Sequence, residues 1–180
     1  SGVTVSSVTG KGLSMASHDG VTTNTTTGYT NNGTINITGG TPSNTTALST
    51  SFGYLDNKGT INVDNGIGAY GINGSSLTNN NAINITSSGV GMAGFASAST
   101  LKTYGTDKQI TTGTLGSNKV LEVTNNGTIT VAGNGSIGLY GNTNDVTNSG
   151  VVSTSNGVIT NNGKIVMTGD SAVGIVSEGK

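Results

Sequence analysis

A corner of asparagine, a polar residue and glycine, followed by apolar residues at every second position, recurs along this chain and restricts its fold more than any other feature. Copies stand at Asn31-Asn32-Gly33, Asn57-Lys58-Gly59, Asn125-Asn126-Gly127, Asn148-Ser149-Gly150 and Asn161-Asn162-Gly163. In a further copy, Asn79-Asn80-Asn81, asparagine takes the glycine place. Asparagine tolerates left-handed backbone better than other non-glycine residues, so the exchange predicts a left-handed residue there. Beyond the corners lie Ile35 and Ile37, Ile61 and Val63, Ile83 and Ile85, Ile129 and Val131, and Ile165 and Met167; the copy at Gly150 offers Val152 and then Thr154. Period-two alternation predicts strands.

Two more apolar points complete each unit. One precedes the corner, at Tyr29, Leu55, Leu77, Val123, Val146 and Ile159; the other is an apolar residue joined to glycine, at Phe52-Gly53, Ile67-Gly68, Val90-Gly91, Ile137-Gly138 and Val173-Gly174. Three short strands per unit cannot bury an apolar face alone, so units must stack on one another. The expected fold is all-β: a three-sided parallel β-solenoid of about 22–26 residues per turn and six to eight turns, spanning roughly 30–40 Å at ~4.8 Å per step. The isoleucine pairs and the apolar-glycine residues are expected inside, and the corner asparagines, Asn148 included, are expected to form amide ladders.

Corner spacing is 26 residues from Gly33 to Gly59, 22 on to Asn81, and 23 from Gly127 to Gly150. Between Asn81 and Gly127 lie 46 residues, room for two turns, and between Gly150 and Gly163 only 13. In that short interval Ser155-Asn156-Gly157 sits between Val151-Val152 and Val158-Ile159, a hairpin signal. The chain therefore reads as one solenoid over residues 1–180, with loop or hairpin excursions at 97–119 and 151–160 and a proline-bearing loop at Gly39 to Thr46. Because patterned sequence runs to the final residues, the chain is expected to be an excised piece of something longer. Its open ends are strand edges and favour end-to-end self-stacking.

Composition removes several function classes. The 180 residues include no cysteine and no arginine, seven lysines and a net charge of −1, so no basic face exists for phosphates and nucleic acid is not expected as a partner. No apolar run is long enough to span a bilayer as a helix, so no membrane insertion is expected. GIGAYG at Gly66 to Gly71 and GVGMAG at Gly89 to Gly94 match the dinucleotide fingerprint in letters only, since no helical periodicity follows. His18 lacks metal-ligand partners at useful spacing, and Asp19, Asp56, Asp64, Asp107, Asp145 and Asp170 are scattered; Asp56 and Asp64 could meet across rungs. No catalytic residue, metal or cofactor is expected. The glycosylation pattern at Asn32, Asn36, Asn84 and Asn126 is common by chance in so Asn- and Thr-rich a chain. A threonine column at Thr34, Thr60 and Thr128, reminiscent of ice-binding faces, is broken by Ala82, Val151 and Lys164.

The pattern NNGTITV followed by IGLYG at Asn125 to Gly141, and NKGTINV followed by IGAYG at Asn57 to Gly71, resembles the passenger repeats of large bacterial type V autotransporters. Most specifically it resembles the giant fusobacterial outer-membrane adhesins. The resemblance covers roughly Tyr29 to Gly179 and implies a right-handed parallel β-helix displayed at the cell surface, anchored through an outer-membrane barrel not present in this chain. It further implies attachment to a protein or glycan receptor on another bacterium or a host cell. The contact is expected in the 97–119 excursion, where Leu101, Lys102, Tyr104, Asp107 and Lys108 concentrate reactive side chains. The alternative is a β-helix that binds or cleaves polysaccharide, which would need a groove lined by close carboxylates.

Overall fold

The computed structural model describes residues 4–7, 10–16, 28–39, 45–51, 53–72, 74–96, 119–143, 146–148, 151–153 and 155–179. They form strands and turns without a helix. The strands repeat in triplets. A partial first coil holds β1 (Thr4–Ser7) and β2 (Gly10–Ala16); the second holds β3 (Gly28–Asn31), β4 (Thr34–Ile37) and β5 (Thr45–Ser51). The third comprises β6 (Tyr54–Asn57), β7 (Thr60–Val63) and β8 (Gly66–Ile72), and the fourth β9 (Ser76–Asn79), β10 (Ala82–Ile85) and β11 (Gly89–Phe95). The fifth is β12 (Lys119–Asn125), β13 (Thr128–Val131) and β14 (Ile137–Thr143). After a pair of short strands, β15 (Val146–Asn148) and β16 (Val151–Ser153), the last coil is β17 (Ser155–Asn161), β18 (Lys164–Met167) and β19 (Val173–Gly179).

Corresponding strands pair in parallel, giving sheets in the orders β1-β4-β7-β10-β13-β18, β2-β5-β8-β11-β14-β19 and β3-β6-β9-β12-β17. The chain is a three-sided parallel β-solenoid. Like lies on like: Ile35, Ile61, Ile83, Ile129 and Ile165 are register partners in turn, as are Ile37, Val63, Ile85, Val131 and Met167. Tyr29, Leu55, Leu77, Val123 and Ile159 form the matching column of the third sheet. These columns and those of the second sheet fill one apolar interior.

Three expectations need correction. The interval from Asn79 to Asn125, with room for two turns, spans one coil, since these residues are register partners 46 positions apart. Among the described residues, six rungs in two sheets and five in the third give a height of roughly 25 Å at ~4.8 Å per step, short of the expected range. Next, Asn148-Ser149-Gly150 is not a corner. Asn148 ends β15, which pairs antiparallel with β16, while Ser155 to Asn161 continues the third sheet against β12. The hairpin thus lies one step before the expected Asn156-Gly157, since alternating apolar residues suit a hairpin as well as a rung.

Finally, the glycines answer to crowding, not to handedness. Left-handed φ occurs among the described residues at Gly39 (68°), Gly66 (139°), Gly74 (73°), Gly135 (64°), Gly179 (130°) and Ser171 (56°), and at none of the corner positions. A Cβ on Gly59, Gly127 or Gly163 would instead collide with the carbonyl oxygen of the corner beneath. Asn81 keeps its Cβ and leans over that corner, its Nδ2 donating to the Lys58 carbonyl at 3.1 Å.

The second sheet also departs from strict alternation. Ile67 pairs with Val90 and then Ala69 with Met92, while Ala47 and Leu48, side by side in sequence, both belong to the interior. The strand therefore turns two successive residues inward. This places Ile67 and Val90 of the apolar-glycine pairs in a second cluster with Tyr70, Ile72, Ala93 and Phe95, on the opposite face from the interior. The rings of Tyr70, Phe95 and Tyr140 form a file there, with centroids 5.9 and 5.3 Å apart.

Candidate functional site

Three edges join the three sheets, and they differ in what they permit. The edge from third to first sheet is always two residues long, for example Lys58-Gly59 and Asn126-Gly127. It is locked by side chains. Nδ2 of Asn31 donates to Oδ1 of Asn57, Asn57 to Asn79, Asn79 to Asn125 and Asn125 to Asn161, every distance being 2.8 Å. Four of the amides also serve their own turn: Asn31 reaches the Gly33 carbonyl at 3.2 Å, Asn79 that of Asn81 at 3.0 Å, Asn125 that of Gly127 at 3.3 Å and Asn161 that of Gly163 at 3.2 Å, while Asn57 reaches the Ala82 carbonyl of the next coil at 3.4 Å. Backbone bonding passes through the corner without a gap, with Asn80 N donating to Asn57 O at 2.8 Å and Asn126 N to Asn79 O at 2.7 Å. Asn57, Asn79 and Asn125 are fully buried, so the amide bonds stand in for those water would make. Asn148 is not in the ladder, for the reason given above.

Two further ladders, which the sequence reading did not single out, lie on outward positions. Asn84 donates to Asn62 and Asn62 to Asn36 at 2.9 and 2.8 Å. Asn162 donates to Asn126, Asn126 to Asn80 and Asn80 to Asp56, at 3.0, 2.9 and 2.7 Å. Their signal was available in the register of Asn36, Asn62 and Asn84. The threonine column is broken by Ala82 and Lys164, with Thr34, Thr60, Ala82, Thr128 and Lys164 in one file, whereas Val151 lies in β16 and does not enter it. Beside it a recess of about 280 Å³ is lined by Asn32, Gly33, Thr34, Lys58, Gly59, Thr60 and Asn81. This surface offers hydroxyls, amides and carbonyls, with one lysine whose Nζ lies 3.3 Å from Asp56.

The carboxylates do not converge. Asp56 is engaged by Lys58 and Asn80, whereas Asp64, at another edge, accepts from Ser87 Oγ at 2.9 Å and Thr86 Oγ1 at 3.1 Å. Those hydroxyls, Ser87 foremost, hold the Asp64 carboxyl below the usual carboxylate range. Glu178 takes Tyr140 Oη at 2.6 Å and Asn142 Nδ2 at 3.1 Å. Among the described residues no three of His, Cys, Asp and Glu come together. His18, Asp19, Asp107 and Asp145 lie outside those residues.

The edge from first to second sheet varies from two residues between β7 and β8 to seven between β4 and β5, and the edge from second to third sheet varies most. Two residues separate β5 from β6 and three separate β8 from β9, but 23 lie between β11 and β12, and the β15–β16 hairpin fills the space between β14 and β17. The 23-residue connection and the hairpin fall at the same edge in consecutive coils, and the 11-residue connection between β2 and β3 falls there too. The backbone N of Ala96 donates to the Asn142 carbonyl at 2.8 Å, so the departure point of the longest connection is fixed against β14. The expected contact residues Leu101, Lys102, Tyr104, Asp107 and Lys108 belong to that segment and lie outside the described residues. No family model, curated protein or solved structure matches the chain.

Proposed function

We propose that this chain is a non-enzymatic cell-surface adhesin and spacer module, a piece of the passenger of a large type V autotransporter of the fusobacterial outer-membrane adhesin kind. It attaches to a protein or glycan receptor on another bacterium or a host cell. The observation that carries the reading is the division of labour among the edges. One edge is sealed by stacked amides and cannot vary, while another concentrates a 23-residue connection and a hairpin in adjacent coils. In stacked repeats such insertions gather on one face, often the binding face. The polar, weakly charged exterior suits a stalk that presents this edge without sticking elsewhere.

Beads coated with the chain are expected to gather bacterial or host cells, and deletion of residues 97–118 to abolish this while the β-rich circular dichroism persists. Coated beads that bind no better than albumin-coated ones would remove the adhesin role. Turnover of an acidic or neutral glycan by the purified chain would replace it with the carbohydrate-active alternative.

A further inference from the structure

The chain contains seven Asn-Gly steps. In this dipeptide the glycine, without a Cβ, lets its nitrogen come close to the side chain before it. Four of the steps are held in one manner, by the side-chain amide and by the glycine nitrogen, against a neighbouring coil. Asn65 Oδ1 accepts from Ser88 N at 3.2 Å, while Gly66 N donates to the Ser88 carbonyl at 2.9 Å. Asn134 Oδ1 accepts from Asp170 N at 2.9 Å, while Gly135 N donates to the Asp170 carbonyl at 2.8 Å. At the corners, Gly127 N and Gly163 N donate to the carbonyls of Asn79 and Asn125, each at 3.0 Å. There the side chain of Asn126 donates to Asn80 at 2.9 Å and that of Asn162 to Asn126 at 3.0 Å. Asn126, Asn134 and Asn162 are exposed and Asn65 is half-buried, so bonding rather than exclusion of water restrains them.

We propose that Asn65, Asn126, Asn134 and Asn162 are modification sites, closed by stacking and opened when a coil comes away, at which the side-chain amide is lost to the following glycine. The glycine nitrogen gives up its proton and attacks Cγ of the preceding asparagine; the Cγ–Nδ2 bond breaks, and Nδ2 leaves with that proton as ammonia. Water then opens the cyclic imide at either carbonyl, leaving aspartate or isoaspartate. In the stack the proton of that nitrogen is committed to a carbonyl of another coil, and the side chain must break a bond of its own to turn toward it. Both restraints at each site run to the same neighbouring coil, so unstacking removes them together. The product does not fit back unchanged. A carboxylate at position 126 has no proton for Asn80 Oδ1, which accepts from Asn126 at 2.9 Å, and isoaspartate lengthens the backbone of a two-residue corner. A coil that has once opened is thereby marked. The inference stands apart from the adhesin role, since it uses neither the long connection nor a receptor.

The full chain, held at mildly alkaline pH with and without guanidinium chloride, tests this. Peptide mass mapping reads the exchange of amide for acid at each site, and isoaspartyl methyltransferase labelling reads the rearranged product. In the folded chain each of the four sites is expected to react at least about tenfold more slowly than in the unfolded chain. Their order should follow hydrogen exchange at the amides of Gly66, Gly127, Gly135 and Gly163, because the same opening exposes both. A site that reacts equally fast folded and unfolded, one that reacts while its glycine amide resists exchange, or four sites inert in the unfolded chain would each overturn the proposal.

Discussion

Asn79 shows how much one side chain holds. Its Oδ1 accepts from Asn57 at 2.8 Å, and its Nδ2 donates to Asn125 at 2.8 Å and to the Asn81 carbonyl at 3.0 Å, all without access to water. Asn79→Ala strands a partner above and below; at about 1–3 kcal/mol for each unsatisfied group, the loss should be roughly 2–6 kcal/mol. Asn161→Ala, at the exposed end of the ladder, should cost less than about 1 kcal/mol, and urea midpoints distinguish the two. Asp64 supplies a titration counterpart. Because its folded pKa is depressed, its contribution to stability is present above the unfolded carboxylate value and is lost as pH falls through the folded one. NMR titration of Ser87→Ala should show the Asp64 pKa moving up toward the ordinary range, with part of the acid sensitivity removed.

Each strand from β4 to β18 of the first sheet gives one inward residue to each of two columns, so the cost of losing one depends on its coil. Ile83→Ala, enclosed between Ile61 and Ile129, should cost about 2–5 kcal/mol, because rungs fixed by hydrogen bonds cannot collapse into the cavity. Ile165→Ala, half-exposed on the last coil, should cost distinctly less in the same denaturation series. The first and third sheets were legible in the sequence for a simple reason: a corner of constant length keeps alternation in step from coil to coil. The second sheet was less so, because Gly68 and Ala69 break the period of two and send Ile67 to the opposite face. The copy at Gly150 misled because an antiparallel pair carries the same alternation as a rung. Left-handed backbone was inferred at the corners where close approach was the cause, two demands that glycine meets equally well. For the site, uneven spacing announced the interruptions, but only the register showed that they share an edge. Leu101, Lys102, Tyr104, Asp107 and Lys108 have no repeat to be aligned with.

At the scale of the molecule, a single direction dominates. Backbone bonds and the amide ladder between coils both run along the stack, while each coil is closed by covalent chain, apolar packing and a few side-chain bonds such as Tyr29 Oη to the Ser49 carbonyl. Tension applied at the two ends therefore loads the contacts between coils one layer at a time, and the spacing of the amide ladder sets how much chain each failure frees. Layers are 26, 22, 46 and 36 residues apart along the ladder. Peeling a 22-residue layer frees roughly 75 Å and a 46-residue layer roughly 155 Å, at ~3.4 Å per residue. Optical tweezers should record unequal steps of those lengths. A tether built this way yields in instalments under drag, and keeps its remaining layers intact while it lengthens.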